Sequence, residues 1–116
     1  MEPVEINAGA WYLRALRADE RVDDRPALAD GGITDPAYVP DRLADWDGDR
    51  HYSWAVCEPT TGELLAEIGL SPQGDITGWA RPGQAAALDA AVSSVRRFAA
   101  GALGIESVVV HVDSPE

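Results

Sequence analysis

A chain of 116 residues holds one folding unit, and an apolar share of 46% with four Trp, three Tyr and one Phe fills a packed interior, which excludes wholesale disorder. The formal net charge is −11 and all the basic residues are arginine; such a surface opposes phosphate backbones and anionic lipid, so neither nucleic acid nor membrane is an expected partner. A single cysteine, Cys57, excludes an intrachain disulfide or a thiolate metal cluster, and the acidic start MEPVEINAG lacks signal-peptide character, so a cytoplasmic protein is expected.

Residues 10–17, AWYLRALR, alternate as a first strand, with Trp11, Leu13 and Ala15 on one face and Tyr12, Arg14 and Leu16 on the other. Residues 18–50 are rich in Asp, Ala, Gly and Pro and predict two short helices. In the second of these, Pro40 sits in the first turn and the helix runs through Leu43 to Trp46. HYSWAVCE and ELLAEIGL flank Pro59-Thr60-Thr61-Gly62 as a β-hairpin, and a third strand from Asp75 to Ala80 follows the turn Ser71-Pro72-Gln73-Gly74.

A long helix comes next, with Leu88, Val92, Val95, Ala99 and Ala102 as its apolar stripe and Gly104 as its C-cap. Glu106 to Asp113, ESVVVHVD, reads as a strand covered on both faces. The order strand, helix, helix, three strands, helix, strand predicts an α+β fold over residues 1–116, three layers α/β/α around a mixed, mainly antiparallel sheet.

The runs YLRALRADE, WAVCEPTTGELLAEIGL, GWARP and RRFAAGALGIESVVVHVD, in that order over most of the chain, resemble the RimJ/RimL branch of the GNAT acetyltransferases. The resemblance implies a sheet that splays between the Asp75–Ala80 strand and the last strand. It also implies acetyl-CoA in that gap, with its pyrophosphate on backbone amides where the Asp75–Ala80 strand turns into the long helix. The family motif at that turn is Arg or Gln, two residues, Gly, one residue, Gly or Ala. Small residues are needed there because the backbone must reach phosphate oxygens.

Read forward, Arg81, Gln84 and Ala86 fall on the three motif positions; read backward from the helix, Ala86 and Leu88 take the small ones. Either register loses the middle glycine. Each charge-assisted phosphate contact forgone is worth about 1.5–3 kcal/mol, so the loss of two weakens binding by two or more orders of magnitude. The expected cofactor-binding set is Arg81, Gly83, Gln84, Ala85 and Ala86. The competing reading makes the same stretch a plain strand-to-helix connection.

The family continues past its last matched strand into another helix and two more strands, which this sequence does not contain. The resemblance therefore implies that the acid from that region and one wall of the acceptor pocket are missing. It also leaves the valine-rich last strand at a sheet edge, where a second copy or a partner protein is expected to pair.

Acetyl transfer to an amine needs a base, and Glu67 or Asp75 could serve directly or through water; Glu67, between Ala66 and Ile68, reads equally as a solvent-facing residue. His51 and His111 lack ligand-spaced companions, so no metal site is expected. Cys57 reads as core volume, and Trp11, Trp46, Trp54 and Trp79 as core rather than a ligand stack. The sequence thus supports a degenerate GNAT fold with an impaired acetyl-CoA site, kept as a binding or interaction module, with a small-molecule ligand as one form of that role. The alternative is a minimal acetyl-CoA-dependent N-acetyltransferase acting on an amine.

Overall fold

The computed structural model describes residues 1–113 and contains one six-stranded sheet whose strands lie side by side in sequence order. The strands are β1 (Ile6–Ala8), β2 (Trp11–Arg14), β3 (Tyr52–Cys57), β4 (Leu64–Leu70), β5 (Asp75–Ala80) and β6 (Val109–Asp113). Three helices, α1 (Arg25–Asp30), α2 (Tyr38–Asp47) and α3 (Ala85–Leu103), complete the mixed α+β architecture. Every neighbouring pair of strands is antiparallel except β5 and β6, which α3 joins as a parallel crossover.

The alternation read in residues 11–16 holds, since Trp11 and Leu13 pack into one apolar cluster while Tyr12 and Leu16 pack into the other. The first strand itself is shorter than expected and has a partner that the sequence pattern missed. Ala8 pairs with Trp11 across a turn at Gly9 (φ +68°), so the chain opens with a β1–β2 hairpin. Three residues, Ile-Asn-Ala, carry no readable period.

The larger cluster lies between the sheet and α3. Leu13, Trp54, Val56, Ile68, Leu70, Ile76 and Val95 are fully buried there. The buried stripe of α3 is Ala87, Leu88, Ala91, Ser94, Val95 and Ala99, while Val92 is half-buried and Ala102 exposed. The expected stripe is thus rotated toward small residues, which let the helix backbone come close to the sheet. Gly104 ends the helix in the left-handed region (φ 69°), with the Ile105 N–H bonded to Ala99 O at 2.9 Å.

On the opposite face, α1 and the start of α2 enclose the smaller cluster of Leu16, Ala27, Leu28, Val39, Ala55, Cys57 and Leu64. α2 runs from this side toward the other, where Trp46 makes edge contacts with Tyr52 and Trp54 at 5.1 and 5.2 Å between centroids. The last strand corrects the expectation of cover on both faces. It begins at Val109, which is 55% exposed, and His111 is also exposed, whereas Val110 and Val112 pack against the larger cluster. β6 is an edge strand buried on one face.

Candidate functional site

The sheet register places Glu67 of β4 opposite Ala55 and Trp79, on the face that α1 and α2 cover. Side chains alternate along a strand, so Glu67 points away from the core that holds Ala66 and Ile68. That alternation suggested solvent, but α2 covers the position and Glu67 is only 5% exposed. Its Oε2 accepts the Tyr38 hydroxyl at 2.6 Å and its Oε1 accepts the Trp79 indole N–H at 2.8 Å.

Burial pushes the Glu67 carboxyl above the usual carboxylate range, opposed by those two hydrogen bonds and by Arg42. Burial, and then the charge of Glu67, push the Tyr38 phenol up. Burial, followed by the charge of Arg42, pushes the His51 imidazole down, which favours its neutral form. Together these residues line a cavity of about 530 Å3 that reaches from Ile33 and Tyr38 across Glu67 and Trp79 to His111.

Asp75, the other candidate base, is exposed at the start of β5, where its N–H bonds Ser71 Oγ at 3.0 Å and its Oδ1 lies 3.7 Å from His111 Nε2. Four residues of strand, roughly 13 Å, separate it from Trp79, the cross-strand neighbour of Glu67. The fold therefore does not bring the two carboxylates together.

At the other end of β5 the chain makes a tight turn. Pro82 and Gly83 (φ +83°) occupy its centre and the Gln84 N–H closes it on Arg81 O at 3.0 Å, an arrangement that calls for glycine at its third position. α3 then starts without a side-chain cap at Gln84. Among the described residues, the N–H groups of Gly83, Ala85 and Ala86 take no protein acceptor.

The Arg81 guanidinium is engaged in an ion-pair network. It bonds Glu63 Oε2 and Asp30 Oδ2, each at 2.8 Å, as well as Leu64 O at 3.2 Å, and these carboxylates hold its pKa up. A hollow of about 510 Å3 beside the turn is lined by Asp30, Glu63, Leu65, Arg81, Pro82 and Gln84. The parallel ladder between β5 and β6 runs from Asp75↔Val109 to Trp79↔Asp113, so these strands do not part along the length where the resemblance implied a gap.

Cys57 is buried and burial pushes its thiol up to about 11, as suits a residue that fills core volume. Trp46 and Trp54 are core, but Trp79 lines the Glu67 cavity. Among the described residues no cluster of His, Cys, Asp or Glu could hold a metal ion, and no helix is long and apolar enough to cross a membrane. Sequence reasoning missed Ile33, between α1 and α2, and Tyr38, the first residue of α2, because no periodicity marks that stretch.

No family model matches the sequence, and no curated protein sequence is significantly similar to it. Solved structures do share its fold. A chain from Vibrio cholerae assigned as a ribosomal-protein-serine acetyltransferase superposes with a TM-score of 0.67 at 13% identity, over 87% of this chain and 69% of that one. An acetyltransferase from Agrobacterium tumefaciens str. C58 superposes with a TM-score of 0.61 at 21% identity, over 88% and 70% of the two chains. The chain shares the fold of these acetyltransferase structures.

Proposed function

We propose that this RimJ/RimL-like chain is a binding module with an impaired coenzyme turn, and that it holds a small organic cation in the cavity at Glu67 without acetylating it. The carrying observation is the engagement of Arg81 by Asp30 and Glu63. A diphosphate entering the hollow beside the turn meets two carboxylates, and the one guanidinium there is already paired. The turn also uses the Gln84 N–H internally. These residues do not fit a pyrophosphate well.

The Glu67 cavity has the opposite character. A buried carboxylate at its floor, aromatic walls from Tyr38 and Trp79, a His51 imidazole whose burial favours the neutral form and an overall charge of −11 all favour a cation. Calorimetric titration with acetyl-CoA tests the reading: no heat at millimolar concentration is expected. Binding in the micromolar range, with thiol release in the presence of an amine, would overturn it.

That outcome would establish the second reading, a minimal acetyl-CoA-dependent N-acetyltransferase. It is favoured by the three unpartnered N–H groups of Gly83, Ala85 and Ala86 and by Glu67 as a desolvated base. In it acetyl-CoA would supply the activated acyl group, while Glu67 would hold the proton released by the amine.

A further inference from the structure

The Glu67 cavity has a neighbour. A smaller cavity of about 220 Å3 opens between α1 and α2, walled by Leu28, Ala29, Pro36 and Val39, and the two cavities share Ile33 and Tyr38 as their common lining. We infer that the two form one composite site that selects a cation carrying a short apolar arm, the head at Glu67 and the arm between α1 and α2. This rests on the proposed reading of the Glu67 cavity as a cation site.

The chemistry of the two compartments is complementary in the required way. In the first, Glu67 has two hydrogen bonds on its carboxylate, from Tyr38 and Trp79. A carboxylate offers about four acceptor positions, so an ammonium can add without first expelling either donor. In the second, Leu28 and Val39 are 1% and 4% exposed and belong to the packed cluster under α1, so that wall is preformed. Ala29, Thr34 and Pro36 are exposed around its mouth.

The divide consists of the half-buried side chains of Ile33 and Tyr38; the Tyr38 hydroxyl is bonded to Glu67, and the Arg42 guanidinium lies over the face of its ring, 4.9 Å from the centroid. A ligand that reaches Glu67 with a head alone leaves the apolar compartment wet. One that extends past Ile33 removes apolar surface from water on both partners, a gain of about threefold to fourfold in affinity per methylene. A carboxylate head is disfavoured by Glu67 itself; at the second cavity Asp35 stands opposite in charge to Arg25, which is already paired with Asp23.

The experiment titrates the full chain by calorimetry with n-propylamine, n-hexylamine and hexanoate, on the wild type and on Ala29→Trp, which fills the mouth of the second cavity from an exposed position. Thr34→Trp fills it from the opposite rim, should the first variant fold poorly. The expected result is hexylamine binding roughly thirtyfold to sixtyfold tighter than propylamine, no binding of hexanoate, and a ratio reduced to under about fivefold in the Trp variants. Equal affinity for the two amines in the wild type, or a ratio that survives both Trp variants, overturns the composite site while leaving the cation reading in place. Failure of both amines to bind removes the cation reading and the inference with it.

Discussion

The two faces of the sheet are built on different terms. Against α3, side chains from β2 to β5 close an apolar layer in which Ile68, Ile76 and Val95 are fully buried, and Trp54 and Phe98 meet edge to face at 5.4 Å. Against α1 and α2, the sheet buries Arg14, Asp24, Ser53 and Glu67, and the Ser53 hydroxyl has no partner among the described residues. Burying polar groups costs stability unless hydrogen bonds replace water, so a face that carries several of them is not arranged for stability alone. The cavities at Glu67 and between α1 and α2 are on this second face. The comparison separates a face that holds the fold together from one that holds polar groups ready for a ligand.

The sharpest way to break the contrast is to remove one charge from the polar face. Asp24 accepts both Arg14 terminal nitrogens, at 2.8 and 2.9 Å, and the Arg17 N–H at 2.7 Å, and both side chains of the ion pair are nearly inaccessible. Asp24→Ala leaves Arg14 buried and uncompensated, a loss of about 3–5 kcal/mol in urea unfolding. Arg14→Met with Asp24→Leu should recover most of it, because the cost comes from the orphaned charge rather than from the missing pair. A single-variant loss below about 1 kcal/mol would show that the polar face does not depend on this pair.

On the apolar face the corresponding change is Ile68→Ala, which opens a cavity at a fully buried position and should cost about 3 kcal/mol. No second substitution of opposite charge can restore it. Amine binding at Glu67 should survive in conditions where the variant is folded, since Ile68 faces α3 and Glu67 faces α2. Loss of binding from folded Ile68→Ala would mean that the two faces are coupled through β4.

These contrasts were unevenly legible in the amino-acid sequence. The hairpin of β3 and β4, the strand β5 and the span of α3 follow from alternation, turn residues and a Gly C-cap, all of which are local signals. The turn at Pro82-Gly83 was equally readable, because its conformation is dictated by those two residues. The Glu67 site was not. Its alternation with Ala66 and Ile68 correctly assigns the face, but what covers that face is Tyr38, twenty-nine residues away in a stretch without period. The same distance hid the pairing of Arg81 with Asp30, fifty-one residues earlier. In β6 the run of valines suggested burial on both sides, whereas only Val110 and Val112 have a layer to pack against, since α3 covers just one face.

The subtlest test of the contrast is the titration of Glu67. Burial raises its carboxyl above the ordinary value of 4.5 in the folded chain. Between 4.5 and that raised value the folded state keeps a proton that the unfolded state has released, so the contribution of Glu67 is most favourable at the acid end and falls as pH rises through the window. Glu67→Gln carries no such proton while its amide oxygen can still accept the Trp79 N–H. Unfolding free energies of wild type minus Glu67→Gln, measured from pH 4 to 8, should therefore decline with pH and then level off, by about 1.4 kcal/mol for each unit of displacement. Tyr38→Phe removes a hydrogen bond that favours the ionised form, and so should extend the decline to higher pH. A difference that rises with pH would mean that the two hydrogen bonds outweigh burial, and that the carboxylate is held charged at the floor of the cavity rather than strained there.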